Sequence, residues 1–181
     1  MRECVRRNTM SGDAGLFGPD SVTWRVHAHP SALVGGLRAL LVQTMHPLAM
    51  AGVAQHSRYR DDPLGRFRRT AEFVNATTYG TTAEAEAAIA LVRRIHTRVN
   101  GVAPDGRAYR ADDPALLSWV HNVEVDSIAA AYHRFGPGFA PGDADRYVAE
   151  MTTLAVLMGA DDVQERHPSC ALGSRSIRNA T

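Results

Sequence analysis

Residues 82–101 read TAEAEAAIALVRRIHTRVNG, and the spacing within them decides the fold class. Ala85, Ala88, Ile89, Val92, Ile95, His96 and Val99 recur at three- and four-residue intervals and share one stripe, while Glu86, Arg93, Arg94 and Thr97 fall elsewhere around the helix. Thr82, with Glu84 and Glu86 close behind it, suits the positive end of a helix dipole, and Gly101 is the expected stop. The odd member of the stripe is His96. An imidazole facing the interior needs a carbonyl, a side chain or a metal as partner, because an unbonded polar group there costs about 1–3 kcal/mol. On pattern alone a hydrogen-bonded core histidine is the better reading, and ligation of iron or another metal stays open.

The same periodicity recurs on both sides of this stretch. Val34, Leu37, Leu41, Met45, Leu48 and Val53 predict a largely buried first helix after a Ser31 N-cap, kinked or restarted at Pro47. A second helix runs from about Leu64 to Thr78, anchored by Phe67, Phe73 and Val74. A fourth starts after Asp112 and Asp113 with Pro114 in its first turn, reaches about Phe135, and turns Leu117, His121, Val125, Ile128 and Tyr132 inward. The Gly136-Pro137-Gly138 run separates it from a fifth, from about Gly142 to Met158. Val22, Trp24 and Val26 alternate with polar residues and predict a short extended segment, stopped by Pro30. Asp105-Gly106 marks a turn that allows a small hairpin between the third and fourth helices. The expected architecture is all-α: a single-domain bundle of about five helices over residues 15–162, with a flexible segment at 1–14 and a polar, disordered tail at 163–181.

Composition excludes several chemistries. All 20 basic residues are arginine, so no Schiff-base lysine, Walker lysine or Ser-Lys pair can exist. Against 19 acidic residues they leave a net charge of +1, which lacks the basic footprint of a nucleic-acid binder. Cys4 and Cys170, near opposite ends, give neither a disulfide framework nor a thiolate metal site, as suits a reducing cytoplasm. Residues 32–54 are apolar, but Arg38, Gln43, His46 and Pro47 argue against a membrane span. HExxH, Glu-x-x-His, CxxCH, GxSxG, GxGxxG and P-loop patterns are all missing.

Further histidines and one arginine remain as candidates. His121 shares the problem of His96 on another helix, and His46 and His56 flank the helix that Pro47 restarts. His27, His29, His133 and His167 read as surface or loop residues. Arg66 and Thr70, one turn apart, share a face with Phe73, so the guanidinium either leans inward toward an anion or is solvated or paired with a surface acid.

The ordered set GLFGPDSVTWRV (15–26), QTMHPLAMAGVAQHSRY (43–59), DPLGRFRRT (62–70), VRRIHTRVNG (92–101) and YRADDPALLSWVH (109–121) resembles the oxygenase family of the fungal MpaB enzyme and the rubber oxygenase, or latex clearing protein, catalytic domain. The resemblance implies an all-helical fold, haem b as cofactor, and oxidation of a small hydrophobic substrate with dioxygen. It makes His96 the axial ligand of the haem iron, puts Arg66 and Thr70 beside the haem as catalytic residues, and adds His121 as a cofactor-binding residue. Three departures accompany it. Arg69 stands where the rubber enzymes have a lysine able to cap the iron, and a guanidinium is a very poor ligand. No glutamate lies between Glu3 and Glu72 to match their proposed base. The chain is also expected to be C-terminally truncated relative to the family, which would expose core surface and favour homo-oligomers. The competing expectation is a non-catalytic helical module that binds haem or a hydrophobic ligand.

Overall fold

The computed structural model describes residues 12–57 and 60–161. Cys4, Cys170, His167 and the segment 163–181 lie outside these, as do most residues of 1–14. The described chain is all-α apart from one hairpin: α1 (Val22–Ala28), α2 (Ser31–Gln43), α3 (Pro47–His56), α4 (Pro63–Tyr79), α5 (Thr82–His96), β1 (Asn100–Val102), β2 (Ala108–Arg110), α6 (Pro114–Phe135) and α7 (Asp143–Met158). No helix among the described residues is long and apolar enough to cross a membrane.

Among the described residues seven helices stand where five were expected, for two reasons. Pro47 does restart the first long helix, with His46 as N-cap. Residues 22–28, expected to be extended, are helical instead. The Ser21 side chain accepts the Trp24 amide, and the Glu150 carboxylate, far along the chain on α7, accepts the amides of Val22 and Thr23. Those bonds satisfy donors that a seven-residue helix cannot satisfy itself, and Val22 and Val26 then stack on one buried face.

α5 begins as expected, on a Thr81–Glu84 capping box, but ends at His96 rather than at Gly101. Residues 100–102 are claimed by the hairpin, in which Gly101 pairs with Tyr109 and the turn passes through Gly106 at φ +85. Val99 therefore leaves the helix stripe and packs with Leu48 against a small cluster of Ala51, Ala103 and Tyr109 beneath the hairpin. The main core lies between α1, α5, α6 and α7, where Val22, Val26, Ile89, Val125, Ile128, Tyr132, Tyr147 and Met151 meet.

α2 reverses its expected orientation. It buries small residues, Ser31, Gly35 and Ala39, against α6, and leaves Leu37 54%, Leu41 71% and Met45 77% exposed. Its first helical residue is Ser31, with Pro30 at the cap and the Ser31 amide donating to His29 Nδ1. The contact with α6 is close: a Cβ on Gly35 would sit 2.6 Å from the Ile128 Cα, whereas one on Gly36 would meet nothing within 4 Å. Gly35→Ala is expected to lower the denaturation midpoint by the equivalent of about 1–3 kcal/mol through overpacking. Gly36→Ala is expected to raise it by up to about 1 kcal/mol through helix propensity. Chemical denaturation of the two variants side by side checks both.

Candidate functional site

The last turn of α5, the start of α4 and the α2–α3 corner surround a cavity of about 780 Å³, closed on a further side by α6 and floored by Tyr109 of the hairpin. Its volume lies within the roughly 300–1,000 Å³ typical of small-molecule and cofactor sites. Leu40, Leu48, Val53, Leu116, Leu117 and Val120 supply apolar wall, and His56, Ser57, Arg66 and His96 bring in polar groups. Leu37, Leu41 and Ile95, exposed at its mouth, also line it.

His96 enters this wall because α5 is registered by Ala85 and Ile89, which are buried on the same face two or three turns earlier. Its Nδ1 is buried and has no hydrogen-bond partner among the described residues. Burial holds the imidazole below its ordinary pKa, and Asp112 opposes that shift. Asp112 is itself engaged by Arg110, at 2.8 Å. Of the two open readings, a satisfied core histidine is not what the fold contains.

Arg66 also reaches the cavity, donating from Nη1 to the Ser57 hydroxyl at 3.0 Å. Burial, and then the neighbouring Arg69 charge, lower its pKa. Thr70 does not line the cavity; it is exposed, and its hydroxyl donates back to the Arg66 carbonyl at 3.2 Å. Arg69 points away to Asp62, at 3.5 Å. His56 joins the lining and bonds the Asn100 carbonyl at 3.1 Å, tying α3 to the hairpin. His46 caps α3 by accepting the Ala49 amide and rests against Trp119. Among the described residues no three His, Cys, Asp or Glu side chains converge as a metal site.

His121 is enclosed on α6, outside the cavity lining, and burial pushes its pKa down to about 4. His27, expected at the surface, is enclosed too, with Nδ1 bonded to the Thr78 hydroxyl at 2.9 Å and Nε2 to the Tyr147 hydroxyl at 3.0 Å. Its pKa also falls to about 4 through burial. Glu124, which the sequence reading passed over, sits one turn beyond His121, and burial raises its carboxyl to about 7. The available signal was its place three residues after one inward position and four before another, His121 and Ile128.

Residues 24–171 match the family described as ER-bound oxygenase mpaB/B'/Rubber oxygenase, catalytic domain. The chain belongs to this family. The matched span contains the whole cavity lining together with Thr70, His121 and Glu124, so the site just described is part of an oxygenase catalytic domain. No curated protein and no solved structure matches the chain.

The displaced side chains set the pH dependence of stability. His27 and His121, neutral in the fold down to about pH 4, contribute stability that is present above about pH 6.5 and lost as pH falls toward 4. Glu124, protonated in the fold up to about pH 7, acts oppositely and loses stability as pH rises from about 4.5 to 7. Between about pH 4.5 and 6.5 these two histidines outweigh one carboxyl and the lowered pKa of His96 acts in the same direction, so stability should climb by at least about 1.4 kcal/mol per pH unit. Glu124→Gln should steepen that climb toward about twice the value, as read by denaturant unfolding across the range.

Proposed function

We propose that this chain is a haem b-dependent oxygenase-type domain, in which His96 would ligate the iron and dioxygen and a small hydrophobic substrate would take the remaining apolar volume. The observation that carries the proposal is His96: a buried ring nitrogen without a partner, in the wall of an apolar cavity of cofactor size, in a chain of an oxygenase catalytic-domain family. The residues present fit the group. One histidine suffices as protein ligand, because the macrocycle brings the other donors to iron. Bound there, haem supplies the iron chemistry by which such enzymes use dioxygen.

The chain's own residues have separable tasks. His96, kept neutral by burial, has a lone pair available at neutral pH. Arg66 spends one donor on Ser57 and holds the rest of its fork for an anion, for which a haem propionate is suited. Thr70 acts indirectly, fixing the turn that carries Arg66 through its bond to the Arg66 carbonyl. His121, enclosed on α6 outside the cavity lining, would contribute indirectly rather than on the iron. Leu40, Leu48, Val53, Leu116 and Val120 exclude water, which strengthens polar interactions inside. Arg69 is held by Asp62 and is chemically unfit to ligate iron.

A second reading, binding of haem or an apolar ligand without turnover, is favoured by the exposed leucines of α2 at the mouth, which leave the site less enclosed than water-sensitive chemistry prefers. Purified chain supplied with haemin is expected to give a Soret band; its absence would remove the haem assignment. His96→Ala should abolish the axial-ligand signature, and Arg66→Ala should weaken haemin binding by about tenfold while leaving the band position unchanged. Oxygen consumption with apolar alkenes separates the two readings, since the non-catalytic module would consume none.

A further inference from the structure

Of the described residues that line the cavity, Tyr109 alone is buried, at 4% exposure. Leu37, Leu41 and Ile95 stand at the other extreme, each half or more exposed, and mark the mouth. Tyr109 therefore forms the closed end. It is also the only six-membered ring in a lining that is otherwise aliphatic apart from a few polar groups. Its hydroxyl donates away to Gln55, at 2.7 Å, so the closed end offers ring carbon rather than a free donor.

The ring is held on three sides. Tyr109 pairs across the hairpin with Gly101, and a Cβ on Gly101 would lie 2.9 Å from the Tyr109 hydroxyl and 3.2 Å from its Cε1, so the ring lies over the partner strand in space that glycine leaves open. Against its other edge, a Cβ on Gly52 of α3 would meet Cε2 at 3.4 Å. At the tip, Gln55 accepts the hydroxyl and donates in turn to the Val102 carbonyl at 2.9 Å. With His56 on the Asn100 carbonyl, both ends of β1 are latched to α3. The ring cannot swing aside without giving up its hydroxyl bond and its packing between the two glycines.

We propose that Tyr109 sets the length of apolar chain that the cavity accepts: a chain enters tail-first past Leu37, Leu41 and Ile95 and stops against the ring. Its polar end stays at the mouth, in water, because the closed end has no free donor to receive it. Each methylene that moves from water into the apolar volume strengthens binding by about fourfold. Once the tail meets a ring that is fixed on three sides, a further methylene must either remain in water or overpack the closed end, and the gain stops. Tyr109 is thus a specificity-determining residue. The inference rests on the shape of the cavity and on no ligand of His96, so it stands or falls separately from the haem assignment.

Straight-chain primary alcohols of rising length serve as probes, titrated calorimetrically into the purified full chain without added haemin. Affinity is expected to rise about fourfold per methylene and then level off at one chain length. Tyr109→Ala should move that limit to longer chains, so that alcohols two carbons past it bind roughly tenfold or more tightly than to the unsubstituted chain. Tyr109→Phe should keep the limit and lower only the denaturation midpoint, through loss of the bond to Gln55. Gly52→Ala adds a methyl in ordinary contact with the ring and should weaken the alcohol at the limit by about fourfold. Failure of every alcohol to bind, or a rise without a limit in the unsubstituted chain, would overturn the proposal. So would an unmoved limit in Tyr109→Ala, which would put the closed end at another part of the wall. If that variant does not fold, unchanged affinity in Gly52→Ala overturns it instead.

Discussion

The approach of α2 to α6 is the constraint from which much of the molecule follows. Gly35 lies so near the Ile128 backbone that no side chain fits between them. Dispersion and exclusion of water act over that contact without large side chains, so α2 can be seated through Ser31, Gly35 and Ala39 alone. Once that face is inward, every leucine of α2 must point sideways or outward. Leu37, Leu40 and Leu41 then become the wall and lip of the cavity instead of core. A bulky residue at Gly35 would push α2 off α6 and change the cavity's shape as well as the stability of the fold.

Polar groups divide between the two halves in a way that matches this geometry. In the main core Glu150 caps α1, and His27 joins Thr78 to Tyr147. Around the cavity His56 bonds the Asn100 carbonyl, but two groups are less completely held. His96 has a bare nitrogen, and Arg66 has a hydroxyl where an acid would be expected. Buried polar groups are ordinarily satisfied because leaving one unbonded is costly. The unbonded His96 nitrogen on the wall of an apolar space is the kind of group that an outside partner would complete.

Much of this was legible in the chain. α4, α5, α6 and α7 begin close to where their caps and proline signals put them, and the Asp105-Gly106 turn forms the expected hairpin. His96 was visible as the polar member of an apolar stripe. What escaped was decided over long distances. α1 looks like a strand because Val22, Trp24 and Val26 alternate, and its helix depends on a carboxylate more than a hundred residues away. The α2 stripe looks buried because leucines usually are, and only the small residues on its other face reveal the true orientation. Thr70 follows Arg66 by four positions, which on a helix is nearly but not quite the same direction. That difference suffices to leave Thr70 in solvent while the longer Arg66 reaches inside. His27 carries no local sign of enclosure, because the walls around it come from other helices.

The chain contains 2 tryptophans, and the fold separates them. Trp24 lies edge-on to Tyr79 at the main core, with ring centroids 4.9 Å apart, whereas Trp119 rests on His46 at the corner that frames the cavity, at 4.7 Å. The core half is stitched by large buried side chains and the cavity half by a handful of small ones, so the two should open with different free energies. Intrinsic fluorescence therefore contains two local thermometers, and the emission of Trp119 reports on the half that holds the cavity.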